Sequence, residues 1–156
     1  MSTKTLPASA LFLGLAGWIP FWIPVALSTH ALLAGRSAAA EEWLYTVYAG
    51  LILSFLGGVR WGREIVSRET PDLAVLSASV APSILGLMAA LLHWASNPHL
   101  AWLLLAVSLL VMMAWDRQAA AHGELPAWFG RLRLILTLGA VGSAIAMTLL
   151  YLLARS

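Results

Sequence analysis

The sequence predicts an all-α, polytopic integral membrane protein with five transmembrane helices in one bundle. Of its 156 residues, 61% are hydrophobic and only 10% are charged, whereas soluble domains carry about 25% charged residues. Four long stretches contain no Asp, Glu, Lys or Arg. One of them, 73–115, is about twice as long as the roughly 20 residues of a single crossing, so it must fold back on itself.

The five predicted helices cover residues 7–33, 42–66, 71–95, 98–121 and 126–154, and they form a single domain over residues 1–156. The long stretch turns before Pro98, with Asn97 as N-cap and the proline in the first helical turn. Thr70 and Pro71 repeat this pattern at the start of the third helix, and Gly123 closes the fourth. The first helix is longer than the apolar part of a signal peptide, so we interpret it as retained.

The distribution of cations predicts the orientation. With five crossings, one side carries seven of the nine Lys and Arg residues: Lys4, Arg60, Arg63, Arg68, Arg117, Arg131 and Arg133. The other side carries only Arg36 and Arg155. Because short cytoplasmic loops are enriched in Lys and Arg, we predict that the N-terminus is inside and the C-terminus outside.

The chain is tryptophan-rich, with eight Trp residues. Six of them fall near predicted helix ends: Trp43, Trp94 and Trp102 at the outer ends, and Trp61, Trp115 and Trp128 at the inner ends. Indole rings prefer the headgroup level, because one edge is apolar and the N–H needs a partner. We therefore expect these six to be interfacial anchors.

Small residues predict how the helices pack. In lipid, helices associate where small side chains allow close approach. The second helix carries Gly50, Ser54, Gly58 and Gly62 at four-residue spacing, and the third carries Pro82 and Gly86 at the same spacing. We expect these faces to pack within one bundle. Homo-oligomerisation is the alternative, and the oligomeric state stays open.

The sequence contains no motif for catalysis or for a cofactor. Without Cys there are no disulfides, thiol nucleophiles or Cys-ligated metals. A phosphate-binding loop, a His-Glu-x-x-His motif and paired intramembrane carboxylates are also absent. His30, His93 and His99 map to outer helix ends and are weak candidates for metal or haem ligation. We predict a non-enzymatic protein without metal or cofactor, and the net charge of +2 gives no indication of nucleic acid binding.

Charged and aromatic residues meet at the inner end of the bundle, and they form the candidate site: Arg60, Trp61, Trp115, Asp116, Arg131 and Arg133. Arg60 lies about 26 Å along its helix from Trp43, just inside a hydrocarbon core about 30 Å thick, and Asp116 reaches a similar depth. We predict that Arg60 and Asp116 pair, which leaves Arg131 and Arg133 to attract an anionic lipid or an acidic protein partner. Snorkelling cations beside a helix-end acid are the alternative.

Several segments together carry a family resemblance: 53–62 (Leu-Ser-Phe-Leu-Gly-Gly-Val-Arg-Trp-Gly), Ala81-Pro82-Ser83, Trp115-Asp116, 123–129 (Gly-Glu-Leu-Pro-Ala-Trp-Phe), and Arg131-Leu132-Arg133 with Thr137. They resemble a bacterial family of unknown function that includes the mitochondrial transmembrane protein TMEM sixty-nine. The resemblance covers nearly the whole chain and implies an inner-membrane location, but it implies no activity. At the position of Arg60 it implies His in many members, so a His-dependent role there does not carry over.

Two functional hypotheses follow. The first is an accessory, assembly or small-ligand or lipid-binding protein of the bacterial inner membrane, acting through the candidate site. The second is a small-solute carrier or channel that uses proline breaks at Pro20 and Pro24 in the first helix and at Pro82 in the third. Simple kinks are the alternative explanation of these prolines.

Overall fold

The structure is a computed structural model that describes residues 5–155. Lys4 and Ser156 lie outside this range. Six helices form the fold: α1 (Ala8–Ala16), α2 (Ile19–Leu33), α3 (Ala39–Ser67), α4 (Leu73–Trp94), α5 (Pro98–Ala121) and α6 (Ala127–Leu153). Residues 5–155 contain no β-strand. Since α1 and α2 together make one span, five segments are long and apolar enough to cross a membrane, which confirms the all-α, five-span prediction.

The first span is broken between α1 and α2, just before Pro20. The N–H of Gly17 donates to the carbonyl oxygen of Gly14 at 3.0 Å, and the N–H of Trp18 donates to that of Leu15 at 2.9 Å. Pro20 has no N–H to donate to the carbonyl four residues earlier, so the helix tightens and restarts. By contrast, α4 runs through Pro82 without a break.

The helix ends follow local capping chemistry. Gly123 has a φ of +77° just after α5, as the sequence predicts for a residue that closes a helix. The prediction of Thr70 as the N-cap of the third helix was wrong. The Asp72 carboxylate accepts a hydrogen bond from the N–H of Ala74 at 2.8 Å, so Asp72 is the cap and α4 begins at Leu73, two residues after the predicted start. Asn97 is at the N-cap position of α5, but its side chain donates to the Ala95 carbonyl instead.

The five spans form a closed ring. The first span lies between α3 and α6, α3 packs most extensively against α4, and α5 packs against α6, while α3 and α5 also meet across the interior. Trp102 was predicted as an interfacial anchor, but it is completely buried. Its indole N–H donates to Oγ1 of Thr46 at 2.9 Å, so the interior itself provides the partner that the headgroup region would otherwise supply.

Small residues bring α3 and α4 close together, but not along the whole predicted stripe. Gly50 faces Gly86, and the Oγ atoms of Ser54 and Ser83 are 2.8 Å apart. Closer to Arg60, Gly57 is the glycine of α3 that contacts α4, where it lies against Pro82 and the Ser79 carbonyl.

Gly58 and Gly62 do not belong to this contact, since a Cβ added at either would meet no atom of residues 5–155 within 4 Å. The prediction that they share the packing face with Gly50 and Ser54 was wrong. Four residues turn an α-helix about 40° past a full turn, so a four-residue stripe rotates away from a straight partner.

Candidate functional site

One end of the bundle gathers most of the cations and is called the arginine-rich end: Arg60, Arg63, Arg117, Arg131 and Arg133. Inside it lies a group of side chains that we call the buried charge cluster, formed by Arg60, Trp115, Asp116 and Arg133. Arg60 is only 3% exposed, Asp116 2% and Arg133 5%. The three charges therefore lie in the protein interior.

Asp116 is paired with Arg133, not with Arg60 as predicted. The Nε–H of Arg133 donates to Oδ2 of Asp116 at 2.8 Å, linking α5 to α6. The guanidinium of Arg60 instead lies over the Trp115 ring, with its Cζ 4.1 Å from the ring centroid. Arg60 is therefore held by a cation–π contact, which is weaker than a charge-assisted hydrogen bond to a carboxylate.

The cluster has more hydrogen-bonding capacity than the protein uses. Nε and Nη1 of Arg60, Nη2 of Arg133 and Oδ1 of Asp116 are buried and have no hydrogen-bond partner within residues 5–155. Two guanidinium groups against one carboxylate also leave one positive charge unbalanced within the cluster, since the buried carboxylate of Glu64 is paired with Arg68 and Arg63. Such groups are costly inside a membrane protein and normally mark a functional site.

The remaining predicted site residues lie outside the cluster. Trp61 and Arg131 are exposed, and the structure does not bring them to Asp116. Arg131 and the equally exposed Arg117 flank a groove of about 240 Å³ between α5 and α6. Neither of these two arginines forms an ion pair with any residue in 5–155. The predicted positive surface thus consists of Arg131 and Arg117, because Arg133 points inward.

Sequence reasoning missed Glu64, which is completely buried near the same end. Its Oε1 accepts hydrogen bonds from the N–H of Asp72 at 2.9 Å and lies 3.3 Å from Nε of Arg68. Arg63 reaches Oε2 of Glu64 at 3.8 Å and bonds Glu124 at 3.1 Å. An acid one turn after Arg60 on the same helix was the available signal. Its position near a helix end made it resemble an ordinary solvent-facing residue.

The three histidines make separate contacts. His30 is exposed, whereas Nδ1 of His93 lies 2.7 Å from Oγ1 of Thr46. The His99 ring stacks on Tyr151 with centroids 5.7 Å apart. Among residues 5–155, no group of three or more His, Asp or Glu side chains is arranged to hold a metal ion. The structure therefore does not bring these three histidines into one cluster.

Residues 6–150 match the model of a family described as a protein of unknown function, DUF3429. The chain belongs to this family. The family match covers nearly the whole chain, including every helix of the buried charge cluster, and confirms the resemblance seen in the sequence.

Two proteins similar to this chain carry the name Transmembrane protein 69. The one from Xenopus tropicalis is 37% identical over 145 residues, covering 91% of this chain and 54% of the relative. The one from Mus musculus is 29% identical over 152 residues, covering 92% of this chain and 57% of the relative. The chain thus spans little more than half the length of these relatives. No solved structure matches it significantly.

Family membership establishes a multi-pass membrane protein of unknown function. Because the family description names no activity, the chemistry of the buried charge cluster is the available basis for a functional proposal.

Proposed function

We propose that this chain is a non-enzymatic binding protein of the bacterial inner membrane, and that its buried charge cluster receives one anionic group. The observation that carries the proposal is the surplus positive charge of Arg60 and Arg133 over Asp116, all three buried. An uncompensated guanidinium inside a membrane protein is expensive, so a bound anion would stabilise the bundle.

The free donors support the same proposal. Arg60 offers Nε and Nη1, and Arg133 offers Nη2. Guanidinium groups bind carboxylates and phosphates with short, strong hydrogen bonds. A singly charged oxyanion would neutralise the cluster, whereas a dianion would replace a surplus positive charge with a surplus negative one.

The surface at the arginine-rich end supports a location beside anionic lipid. The exposed Arg117 and Arg131 border the groove between α5 and α6, and the half-exposed Trp61 lies at the same end. Exposed arginines next to an anionic leaflet contribute about 1 kcal/mol each to attraction. This surface would hold the arginine-rich end at the cytoplasmic headgroups.

The experiment compares two charge-removing variants by thermal unfolding in detergent, in a titration with sodium acetate at constant ionic strength. Arg60→Met removes the surplus charge, so it should unfold at a higher temperature than the wild type without acetate and should respond less to acetate. A ligand that binds the folded state raises the unfolding temperature by mass action. Arg131→Met is the matched control, because it removes an exposed cation and should leave the response unchanged.

Mass spectrometry of protein purified gently from native membranes would complement the titration. We expect a co-purifying anion with the wild type and less of it with Arg60→Met. An equal acetate response in the wild type, Arg60→Met and Arg131→Met would overturn the proposal.

A small-solute carrier is the second candidate, and the break between α1 and α2 favours it. Interrupted helices border the substrate sites of many transporters. Only one of the two proline-containing predicted helices is interrupted, since α4 is continuous through Pro82. Flux of acetate into proteoliposomes separates the candidates: a carrier equilibrates acetate across the membrane, whereas a binding protein gives no flux above empty vesicles.

A further inference from the structure

A cavity of about 180 Å³ adjoins the buried charge cluster, between the first span and helices α3, α5 and α6. Three residues of its lining have hydrogen-bonding side chains, namely Trp18, Arg133 and Thr137. Nη2 of Arg133 and Oγ1 of Thr137 are both buried and have no hydrogen-bond partner within residues 5–155. The indole N–H of Trp18 is already used, since it donates to the Leu136 carbonyl at 3.2 Å.

We propose that this cavity binds a long-chain carboxylate of the fatty-acid type. The carboxylate accepts hydrogen bonds from Nη2 of Arg133 and Oγ1 of Thr137, and the chain lies along the apolar wall toward the bilayer. This inference rests on the proposed function, because it names the anion that the cluster receives and the apolar part attached to it.

The charge selects a monoanion. The cluster as a whole carries one surplus positive charge, and Arg133 is the member of the cluster that lines the cavity. A single carboxylate there balances the charge of the cluster while accepting hydrogen bonds from the Arg133 guanidinium and the Thr137 hydroxyl. An uncharged amphiphile of the same length would leave the surplus charge in place.

The size of the cavity selects a single chain. Its volume is slightly larger than the ~150 Å³ apolar cavity that accommodates a benzene ring. It therefore accommodates the carboxylate and the first carbons of one acyl chain.

The exposure of two lining residues indicates where the rest of the acyl chain would leave the cavity. Leu13 is 70% exposed and Phe55 65% exposed, although both line the cavity. These two residues form its rim on the lipid-facing surface. A longer chain can therefore continue sideways into the bilayer, and the ligand can enter by the same route.

The break in the first span lies at the wall of the cavity. Gly14 and Gly17 line the cavity on either side of the last turn of α1. A side chain at Gly14 would approach Leu136 to 3.0 Å on the opposite wall. Gly14 thus allows the first span to lie close to α6 at the wall of the cavity, where a larger residue would push Leu136 aside.

The test measures binding of radiolabelled palmitate to purified protein in nanodiscs, with hexadecanol and acetate as comparison ligands. Thr137→Val keeps the side-chain shape but removes the hydroxyl, and we expect it to weaken palmitate binding about tenfold, the loss of one hydrogen bond to a charged group. Ala140→Leu fills the cavity and should abolish palmitate binding. Thr148→Val is the matched control on the same helix, since its hydroxyl bonds the Ala144 carbonyl away from this cavity, and it should bind like the wild type.

The outcomes separate this inference from the proposed function. Hexadecanol binding as tightly as palmitate would overturn the inference, because the carboxylate would then contribute nothing. If acetate binds as tightly as palmitate and Ala140→Leu retains both, the inference about a fatty acid is overturned, but anion binding at the cluster is not. If the wild type binds neither palmitate nor acetate, both the inference and the proposed function are overturned. If Ala140→Leu does not fold, Thr137→Val decides: palmitate affinity equal to the wild type contradicts the inference.

Discussion

Nε of Arg133 donates to Oδ2 of Asp116 over 2.8 Å, and both side chains are buried between α5 and α6. The two residues are 17 positions apart in sequence, on opposite sides of one helical hairpin. Their pairing joins the two helices at the arginine-rich end and consumes the one carboxylate of the cluster. Arg60, on α3, is therefore left with the Trp115 ring and carries the surplus charge.

The Arg133–Asp116 pair should show strong energetic coupling. Asp116→Ala leaves two buried guanidinium groups without a carboxylate in the cluster and should lower the free energy of unfolding by about 3–5 kcal/mol. Arg133→Ala leaves the carboxylate without its hydrogen-bond donor but still near Arg60, so it should lower that free energy less, by about 1–3 kcal/mol. The double variant should lose much less than the sum of the two, because residues in direct contact are not additive. Thermal or denaturant unfolding in detergent measures the cycle.

Arg131 provides the control for this cycle. It lies two residues before Arg133 on α6 but is exposed, so Arg131→Ala and Asp116→Ala should be additive within about 0.5 kcal/mol. Additive losses for Arg133 and Asp116 would show that the hydrogen bond contributes nothing to stability.

Adjacent glycines on α3 should respond differently to the same substitution. A Cβ at Gly57 would clash with the Ser79 carbonyl of α4, whereas a Cβ at Gly58 would meet nothing within 4 Å in residues 5–155. Gly57→Ala should therefore destabilise the fold by about 1–3 kcal/mol through forced separation of α3 and α4. Gly58→Ala should instead stabilise the fold by about 0.5–1 kcal/mol, because alanine has the higher helix propensity and meets no obstacle there. Unfolding midpoints of the two variants, prepared in parallel, test this; equal loss at both sites would refute the described α3–α4 contact.

A second glycine pair tests how the broken first span attaches to α6. Gly139 lies directly under the Trp18 ring, so a Cβ there would clash with the indole, while a Cβ at Gly142 would come only to 3.8 Å from Trp22. Gly139→Ala should displace Trp18 and break its hydrogen bond to the Leu136 carbonyl, and we expect a loss of about 1–3 kcal/mol. Gly142→Ala should be nearly neutral. Unfolding followed by tryptophan fluorescence measures the loss of stability, and the emission spectrum of the folded protein reports the displacement of Trp18. A folded-state spectrum unchanged by Gly139→Ala would contradict the contact.

Glu64 should stabilise the turn between α3 and α4. Glu64→Ala removes the carboxylate that accepts from the Asp72 N–H and pairs with Arg68, and the loss of a hydrogen bond to a charged group costs about 1.5–3 kcal/mol. Glu64→Gln keeps an oxygen for the N–H and should lose less. Proteolysis of the segment 68–72 measures the opening of the turn, and Glu69→Ala, at an exposed position, is the control that should not increase cleavage. Cleavage rates that do not differ between Glu64→Ala and Glu69→Ala would exclude this role.

The spans could be predicted from the sequence because hydropathy and helix-terminating residues act locally. The predicted helix at 98–121 coincides with α5, and α3 begins three residues before the predicted helix at 42–66 and ends one residue after it. The composition of the charge cluster was also accessible, since depth in the membrane follows from counting residues along each helix.

The partners within the cluster could not be predicted in this way. Arg60 and Asp116 lie at similar depth, but contact also requires a particular rotation of each helix about its axis. That rotation is set by side-chain packing over the whole ring. The same reason explains Gly57 replacing Gly58, and Trp102 lying in the core although its position near a helix end suggested the headgroups.

The side of the membrane on which the arginine-rich end lies is predicted from cation placement alone. Arg60 and Arg133 are buried there, which leaves Arg63, Arg68 and the exposed Arg117 and Arg131 among the described residues. These four still outnumber Arg36 and Arg155 at the opposite end, and translocating short cationic loops is unfavourable, so we expect the arginine-rich end in the cytoplasm. Alkaline phosphatase fused after Ser156 should then be active, and a fluorescent reporter that folds only in the cytoplasm should be dark at that position. Moving the same reporters into the turn at 122–126 should reverse both signals, and a bright C-terminal reporter with a dark one in the turn would invert the orientation while leaving the five-span fold unchanged.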